Sequence, residues 1–509
     1  DAALERRNLV LERMLSAGDI TQEQCDAAQA EPLNLDPAPE VPEDGIYAYP
    51  YFTSYVRNLL MEEDNPFGCS YASLFEGGLT IRTTLNPSLQ DDAEAACAAQ
   101  RARMSGDLDA SLVAIDPATG YVEAMVGGGD YDISQVNIAT GTGGGGRQAG
   151  STFKAFTLAA AIEKGISPQT RIDCSSPMTK EVDGREQTFE NFDNIDYGVR
   201  TIQSATAVSA NTGYLRLSEE IGQAATTEMA ERLGAESPMS TVYTTTLGVA
   251  SVTPLDMANA YATLASGGTK REPVVITEIE DKDDNIIYKA DDTSKRVISE
   301  EVAGATTNVL RQVFEASDGT AQTAKLGNGQ PVAGKTGTST DFADHWLVGY
   351  TPSLSVATWI GNPAGSIATD TQLNCNALWK DFMDRACAGK AVEQFPETKA
   401  PSYNNAFNEK QKAALGAEEE KSSDKQTPAA ITSGSQTATS SQASGTANAK
   451  TPPDATGKTL EEAKELLKDW KAGSVTEYSS TVPKDSVIRQ YIASDGMVVV
   501  VLSTGPKTN

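Results

Sequence analysis

Residues 147–162 read Arg-Gln-Ala-Gly-Ser-Thr-Phe-Lys-Ala-Phe-Thr-Leu-Ala-Ala-Ala-Ile. Gly150 can adopt the backbone angles of a sharp turn, and the mostly apolar or small residues after it, without Gly or Pro, predict a buried helix. Ser151 is therefore expected at a helix N-terminus, with Lys154 one turn further along. Because residues three apart share a helix face, the hydroxyl and the amine can meet.

This spacing suits nucleophilic catalysis. A Ser hydroxyl is a poor nucleophile until a base removes its proton. A Lys can be that base when burial and a second cation lower its pKa, and the helix N-terminus favours the developing negative oxygen. A bare S-x-x-K pattern is equally compatible with an N-cap Ser before an ordinary helix, so further motifs must decide.

Two such motifs follow in the sequence. Residues 209–211 read Ser-Ala-Asn, and residues 335–338 read Lys-Thr-Gly-Thr. S-x-x-K, S-x-N and K-T-G in this order are the set used by penicillin-recognising serine acyltransferases. With these motifs the chain resembles a class A penicillin-binding protein. Strands near residue 112, helices in the middle and strands after residue 331 also predict an α+β fold.

The resemblance implies five regions along the chain. It implies a penicillin-binding/β-lactamase-like transpeptidase domain, with an antiparallel sheet and a helical subdomain, and a small α+β PASTA domain. Residues rich in Ser, Thr, Ala, Gln and Lys predict a flexible linker between them. The expected regions are 1–35, the helical tail of a glycosyltransferase domain without its catalytic part; 36–105, a linker and N-terminal subdomain; 106–403, transpeptidase; 404–450, linker; and 451–509, PASTA-like.

Periodicity and turn residues predict the individual elements. Residues 209–211 are expected either in the middle of a helix or in a loop between two helices. The predicted elements are helices at 2–16, 21–30, 47–65, 87–103, 199–217, 300–316 and 459–470, a further helix that follows from the segment 246–258 and ends near 267–268, a strand at 79–85, a hairpin at 112–126, and strands at 350–360, 473–478 and 487–502.

Two glycine-rich stretches imitate nucleotide-binding loops. Residues 141–146 match G-x-G-x-x-G, and residues 329–336 match G-x-x-x-x-G-K-T without a mismatch. Both patterns require a preceding core strand and a following helix. Residues 322–328 do not form an apolar strand, and Thr-Gly-Thr-Ser-Thr after Lys335 is poor helix material. We therefore reject a nucleotide site.

The net charge and the numbers of histidine and cysteine residues exclude further kinds of site. The 509 residues include 41 Lys+Arg and 70 Asp+Glu, for a net charge of -29, which argues against nucleic-acid binding. His345 is the only histidine, so a multi-histidine metal site is excluded, and we expect no metal and no cofactor. The six cysteines form no C-x-x-C pair, and whether Cys375 and Cys387 form a bridge stays open.

The resemblance also implies partners and location. The chain begins at Asp1 and shows neither a signal peptide nor an apolar run of about 18 residues, so we expect a fragment that lacks its N-terminal membrane anchor. The expected partners are peptidoglycan stem peptides, β-lactam antibiotics and proteins of the cell-wall machinery. The expected location is the extracytoplasmic face of a bacterial membrane or the cell wall.

The resemblance assigns a role to each motif residue. Ser151 attacks the carbonyl and Lys154 takes its proton, while Ser209 relays a proton to the leaving nitrogen. Asn211 orients Lys154 and binds the substrate amide. Lys335 keeps Lys154 neutral and attracts the terminal carboxylate.

The K-T-G strand is expected to bind the ligand. Thr336 and Thr338 hold the terminal carboxylate, and alternation along a strand places both on one face. Gly337 is expected to let a ligand backbone approach closely. The backbone N–H groups of Ser151 and Thr338 form the oxyanion hole in this arrangement.

Three functions compete at this point. The first is a peptidoglycan D,D-transpeptidase that forms a serine acyl-enzyme and is inhibited covalently by β-lactams. The second is a D,D-carboxypeptidase or β-lactamase on the same scaffold; the Leu-Asn pair that accompanies the deacylating Glu of class A β-lactamases occurs only at 33–34, 85–86 and 373–374, all misplaced. The third is a non-catalytic wall-binding or β-lactam-sensing protein, for which a Lys base has no use.

Overall fold

The computed structural model describes residues 2–33, residues 48–413 with short gaps at 105, 340–341, 366, 368, 370–372 and 405, and parts of 453–503. The chain divides into two compact units, Asp1–Gln426 and Thr427–Asn509. Both mix helices with sheets, which confirms the predicted α+β class.

The first unit begins with short helices and one strand. Thr21 and Gln24 form the capping box that starts the second helix, and Gly18, with φ +78°, ends the first. The elements are α1 Ala2–Ala17, α2 Gln22–Ala30, α3 Pro50–Met61, α4 Tyr71–Glu76, β1 Thr80–Thr83 and α5 Pro87–Arg101.

The rest of the first unit alternates strands and helices. In chain order the elements are β2 Asp109–Ile115, β3 Val122–Val126, β4 Arg147–Gln148, α6 Lys154–Glu163, β5 Arg171–Asp173, β6 Met178–Val182, β7 Arg185–Phe189, β8 Val199–Thr201, α7 Ile202–Ala207, α8 Asn211–Ile221, α9 Ala224–Leu233, β9 Ser251–Val252, α10 Pro254–Ala265, β10 Thr269–Lys270, β11 Ile276–Glu280, β12 Ile286–Lys289, β13 Lys295–Arg296, α11 Glu300–Glu315, β14 Ala333–Thr338, β15 Asp344–Tyr350, β16 Ser355–Gly361, α12 Asn376–Ala386 and α13 at 406–413.

A five-stranded antiparallel sheet organises this unit, in the order β14-β15-β16-β2-β3. Successive side chains of β2 enter different hydrophobic clusters. Leu112 and Ala114 join the cluster that includes α5 and α12, whereas Val113 and Ile115 join the one that includes α6 and α10. The sheet is thus covered on both faces, and β14 is left at its edge.

Several predicted boundaries differ from the structure, and three of the differences change the character of a segment. The helix predicted over 199–217 is β8, α7 and α8, with residues 208–210 as the loop between the two helices. The strand predicted over 350–360 contains a turn at 351–354 between β15 and β16. The linker predicted from residue 404 begins with the ordered helix α13, whose Phe407 is buried in the core.

The second unit is described in part. Its helix α14 spans Leu460–Leu466 and begins with a capping box between Thr459 and Glu462. Its sheet consists of β17 Ala472–Glu477, β18 Val487–Ile492 and β19 Val498–Ser503, in the order β17-β19-β18. β17 and β19 are parallel, while β18 and β19 are antiparallel.

Candidate active site

Ser151 lies in a single 3-10 turn, Gly150–Phe153, that leads directly into α6. The predicted turn and helix are therefore present, although Ser151 precedes the α-helix rather than starting it. Gly150 has φ +55°, and a Cβ there would stand 2.5 Å from Thr338 O. Only glycine fits both that conformation and that space, so the serine turn can approach β14 directly.

Backbone hydrogen bonds fix the entry to this turn. The N–H of Ala149 donates to Ala250 O at 3.1 Å, and the N–H of Gly150 donates to Gly248 O at 2.9 Å. A Cβ on Gly248 would stand 1.9 Å from Gly150 O. The segment 248–250, just before α10, therefore holds the start of the serine turn through backbone hydrogen bonds.

Two aromatic side chains hold the same turn. Tyr261 on α10 donates its O–H to Thr152 O at 2.8 Å, and Trp346 on β15 donates its indole N–H to Gln148 O at 2.8 Å. Both rings are fully buried. No sequence pattern predicts these two hydrogen bonds, because each partner lies about 100–200 positions away along the chain.

Lys154 meets Ser151 as the spacing predicts. Its side chain is fully buried, and its Nζ lies 2.9 Å from Ser151 Oγ, 2.7 Å from Ser209 O, 3.2 Å from Ser209 Oγ and 2.6 Å from Asn211 Oδ1. Burial is the main cause that holds the pKa of Lys154 well below its usual value of 10.5, and the nearby Lys335 lowers it further. The amine is thus adapted to accept a proton.

The loop between α7 and α8 carries Ser209. This residue has φ +59°, a left-handed conformation that is uncommon for Ser. Its Oγ lies between two amines, 3.2 Å from Lys154 Nζ and 2.8 Å from Lys335 Nζ. Asn211, at the start of α8, directs its Oδ1 at Lys154 and donates from Nδ2 to Glu190 O at 2.8 Å.

Lys335 comes from the edge strand β14 and is also fully buried. Its Nζ donates to Ser209 Oγ at 2.8 Å and to Thr336 O at 3.0 Å. Burial lowers the pKa of Lys335 to about 7. The three motifs, which are far apart in the sequence, thus meet through Lys154, Ser209 and Lys335.

Thr336 and Thr338 are half-buried, alternating along β14 with buried Lys335 and Gly337. Gly337, which is expected to let a ligand backbone approach closely, lies against the serine turn in the structure. A Cβ at this position would stand 2.6 Å from Ala149 O and 2.9 Å from Thr152 Cγ2. Gly337 therefore makes room for the serine turn.

The alternatives to this site lack structural support. Lys335 lies within the antiparallel strand β14, whereas a phosphate loop would begin a helix there. The only histidine, His345, bonds elsewhere than to Ser151: its Nε2 lies 2.6 Å from Thr369 Oγ1 and 3.1 Å from Phe342 O. Among the described residues, no group of three or more His, Cys, Asp and Glu residues could hold a metal ion.

Cys375 and Cys387 do not form a disulfide. Both are free thiols, and they flank opposite ends of α12 as its N-cap and C-cap residues. Twelve residues of helix span about 18 Å, far beyond the reach of a disulfide, whose Cα atoms lie about 4.4–6.8 Å apart. The open question from the sequence is thus answered.

Comparison with known families gives the same result as the geometry. The model of the penicillin binding protein transpeptidase domain matches residues 110–372, which include all three motifs, and that of the PASTA domain matches residues 450–502. The chain belongs to the penicillin-binding protein transpeptidase family. The predicted resemblance to class A penicillin-binding proteins is confirmed, since the similar proteins include penicillin-binding proteins 1A and 1B.

Among the relatives, penicillin-binding protein 1A of Mycolicibacterium smegmatis is 32% identical over 438 residues, covering 78% of this chain and 52% of the relative. Penicillin-binding protein 1B of Escherichia coli is 30% identical over 369 residues, covering 70% and 42%. The chain thus spans about half the length of these curated relatives. Where the structure describes the chain, no helix is long and apolar enough to cross a membrane.

Solved structures show the same fold. PonA1 of Mycobacterium tuberculosis, in complex with penicillin V, is 29% identical to this penicillin-binding protein with a TM-score of 0.61, covering 69% of this chain and 96% of that one. Penicillin-binding protein 1A of Haemophilus influenzae aligns with a TM-score of 0.65, covering 77% and 78%. Its identity of 21% restricts that likeness to the fold.

Proposed function

We propose that the chain is a peptidoglycan D,D-transpeptidase that cross-links stem peptides ending in D-Ala-D-Ala through an acyl-enzyme on Ser151. The observation that carries this proposal is the fully buried amine of Lys154, 2.9 Å from Ser151 Oγ and without a carboxylate among its hydrogen-bond partners. Such an amine is a proton acceptor rather than half of an ion pair. The penicillin V complex of PonA1 supports a β-lactam as inhibitor.

Each step has a group in place. Ser151 Oγ forms a bond to the carbonyl carbon while its proton passes to Lys154 Nζ. The C–N bond to the terminal D-Ala then breaks, and the leaving amine takes a proton from Ser209 Oγ, which Lys154 Nζ reprotonates across 3.2 Å. An acceptor amine from a second stem peptide then attacks the ester carbonyl and gives a proton to Lys154 Nζ. The C–O bond to Ser151 breaks, and Ser151 Oγ takes that proton across 2.9 Å.

The strand register supports Thr338 as an oxyanion donor. Ser339 N–H donates to Asp344 O at 2.9 Å, and hydrogen-bonded pairs alternate with non-bonded ones in an antiparallel ladder. Thr338, opposite His345, therefore directs its N–H away from β15, towards the open edge. Its backbone N would lie 2.8 Å from a Cβ on Gly150, which places it beside the serine turn.

The carboxylate of the ligand would lie between Lys335 and the two threonines. Lys335 supplies positive charge, and the half-buried Thr336 and Thr338 supply hydroxyl donors on one face of β14. In this proposal the protein acts at the extracytoplasmic face of a bacterial membrane, on peptidoglycan. Anchoring and contacts with other cell-wall proteins would come from the longer protein.

Mass spectrometry of the intact chain tests this function. A penicillin should add its mass once, at Ser151, and Ser151→Ala should abolish the adduct while the melting temperature stays near the wild-type value. A synthetic D-Ala-D-Ala peptide with an acceptor amine should yield free D-Ala and a cross-linked dimer. An adduct retained in Ser151→Ala overturns the proposal, and D-Ala release without dimer indicates a carboxypeptidase.

A further inference from the structure

Thr320 lies outside the three motifs, in the turn between α11 and the short 3-10 helix Gln322–Ala324. Its side chain is exposed, and its Oγ1 lies 2.6 Å from the Oγ1 of Thr336 in the K-T-G strand. A hydroxyl has one proton and two acceptor lone pairs. Only one of the two protons can occupy this contact, so the other is available to a ligand.

The backbone around Thr320 is fixed by three elements. Its N–H donates to Ala207 O, at the end of α7, at 3.1 Å, and its carbonyl accepts from Asn376 Nδ2, on α12, at 3.1 Å. A Cβ on the preceding Gly319 would stand 2.4 Å from Val313 O on α11. The Thr320 hydroxyl is thus held in place before any ligand arrives.

We propose that Thr320 is a positioning residue for the carboxylate subsite, acting through Thr336. A carboxylate only accepts hydrogen bonds, so Thr336 donates its proton to the ligand. Thr320 then donates its own proton to a lone pair of Thr336 Oγ1. This chain of two hydroxyls strengthens the charge-assisted hydrogen bond between Thr336 and the carboxylate. The inference rests on the proposed function, in which Thr336 binds the carboxylate.

The test compares two ligands that differ only at the carboxylate, benzylpenicillin and its methyl ester. The readout is the second-order rate constant for acylation of Ser151. Thr320→Val should lower this constant for benzylpenicillin about three- to tenfold, the effect of one lost hydrogen bond, and change it for the ester by less than about twofold. Thr320→Ser should restore the wild-type rate. The matched control is Thr323→Val in the adjacent 3-10 helix, whose hydroxyl accepts from Asn376 Nδ2 on α12, and it should leave the benzylpenicillin rate near the wild-type value.

A double mutant tests whether Thr320 acts through Thr336. In a Thr336→Val background, adding Thr320→Val should change neither rate further. Equal losses for the acid and the ester, or an unchanged benzylpenicillin rate in Thr320→Val, would overturn the inference. Should Thr320→Val fail to fold, Thr320→Ala removes the same hydroxyl and serves in its place. A wild-type chain that is not acylated at Ser151 would overturn the proposed function itself.

Discussion

Ser209 shows how much chemistry depends on one side chain. Its hydroxyl contacts both buried lysines, 3.2 Å from Lys154 Nζ and 2.8 Å from Lys335 Nζ. A hydroxyl can donate to a neutral amine while it accepts from an ammonium. Ser209 therefore suits a pair in which Lys335 is charged and Lys154 is neutral, and it provides a short path for the proton that Lys154 receives.

The pKa values of the two lysines predict a bell-shaped pH profile for acylation by an anionic β-lactam. The rate constant should rise with pH as Lys154 loses its proton, well below 10.5, because burial and Lys335 depress its pKa. It should fall above about pH 7, where Lys335 loses the charge that attracts the carboxylate. Stopped-flow acylation across the pH range measures this profile, which reports the free enzyme.

Two controls separate the limbs of the profile. A β-lactam methyl ester carries no carboxylate, so its rate should not decline above about pH 7. Lys154→Ala should remove the rising limb and slow acylation roughly 10²- to 10⁴-fold, the usual worth of a general base. A profile that is identical for acid and ester would contradict the assignment of the falling limb to Lys335.

At the residue scale, the sequence predicts those side-chain contacts that join residues close together in the chain. Lys154 follows Ser151 by three positions, and helical periodicity alone brought the two side chains together. The contact of Lys335 with Ser209 spans 126 positions and was accessible only through the family motif set. Thr320 carries neither a periodic nor a motif signal, so its contact with Thr336 became visible only in the folded chain.

At the scale of elements, the site depends on the approach of the serine turn to β14. Two glycines face each other across this junction. A Cβ on Gly150 would meet Thr338 O at 2.5 Å, and a Cβ on Gly337 would meet Ala149 O at 2.6 Å. In the proposed mechanism neither residue donates a group to the reaction, and both set the distance between Ser151, the proposed nucleophile, and Thr338, the proposed oxyanion donor.

Gly337→Ala should therefore impair catalysis although every reactive group remains. The added methyl must displace the serine turn or β14, because Ala149 O and Thr152 Cγ2 stand within 2.9 Å of it. Overpacking of this kind costs about 1–3 kcal/mol of stability, and a shift of about 1 Å at a reacting atom can cost on the order of 10² in rate. Acylation kinetics and a denaturation midpoint measure the two effects.

Gly327→Ala is the matched control for this substitution. Its Cβ would meet only the carboxylate of Asp384, at ordinary distances of 3.6 and 3.9 Å, and its backbone does not need positive φ. It should acylate at the wild-type rate. If Gly337→Ala also kept the wild-type rate, the close approach of the two elements would have no part in catalysis.

Sequence patterns predict β14 well and the segment 199–217 only in part. Alternation placed Thr336 and Thr338 on one face of a strand, and the structure agrees. For residues 209–211 the sequence predicts either the middle of a helix or a loop between two helices, because Val208 and Ala210 fit both. The structure has the loop. The left-handed Ser209 ends the helix there, and tertiary contacts with the two lysines stabilise a conformation that Ser rarely adopts alone.

At the scale of the whole molecule, the proposed catalytic residues all lie within Asp1–Gln426. The end of this unit supports the helix that carries Lys154. Asn404 donates from its N–H to Gly165 O at 2.8 Å and from Nδ2 to Lys164 O at 2.9 Å, just beyond the C-terminus of α6. Composition alone had assigned residue 404 to a flexible linker, since the contacts that order it are with distant segments.

Two truncations test where the catalytic unit ends. A chain cut after Gln426 keeps α13 and should match the full chain in both acylation rate and denaturation midpoint. A chain cut after Ser402 loses buried Phe407, the Lys410–Glu220 ion pair and the Asn404 bonds to the end of α6. Burial of one Phe side chain contributes about 1.5–3 kcal/mol, so the shorter chain should unfold at lower denaturant.

The acylation rate of the chain cut after Ser402 shows whether the segment with Asn404 and α13 contributes to catalysis. Because α6 positions Lys154 beside Ser151, a loosened C-terminus of α6 should slow acylation together with the loss of stability. Asn404→Ala in the full chain removes only the side-chain bond to Lys164 O and should cause a smaller loss of stability than the cut after Ser402. If the cut after Ser402 left both the rate and the midpoint unchanged, α13 would be dispensable. If the cut after Gln426 lowered the rate, the linker or the second unit would contribute to catalysis.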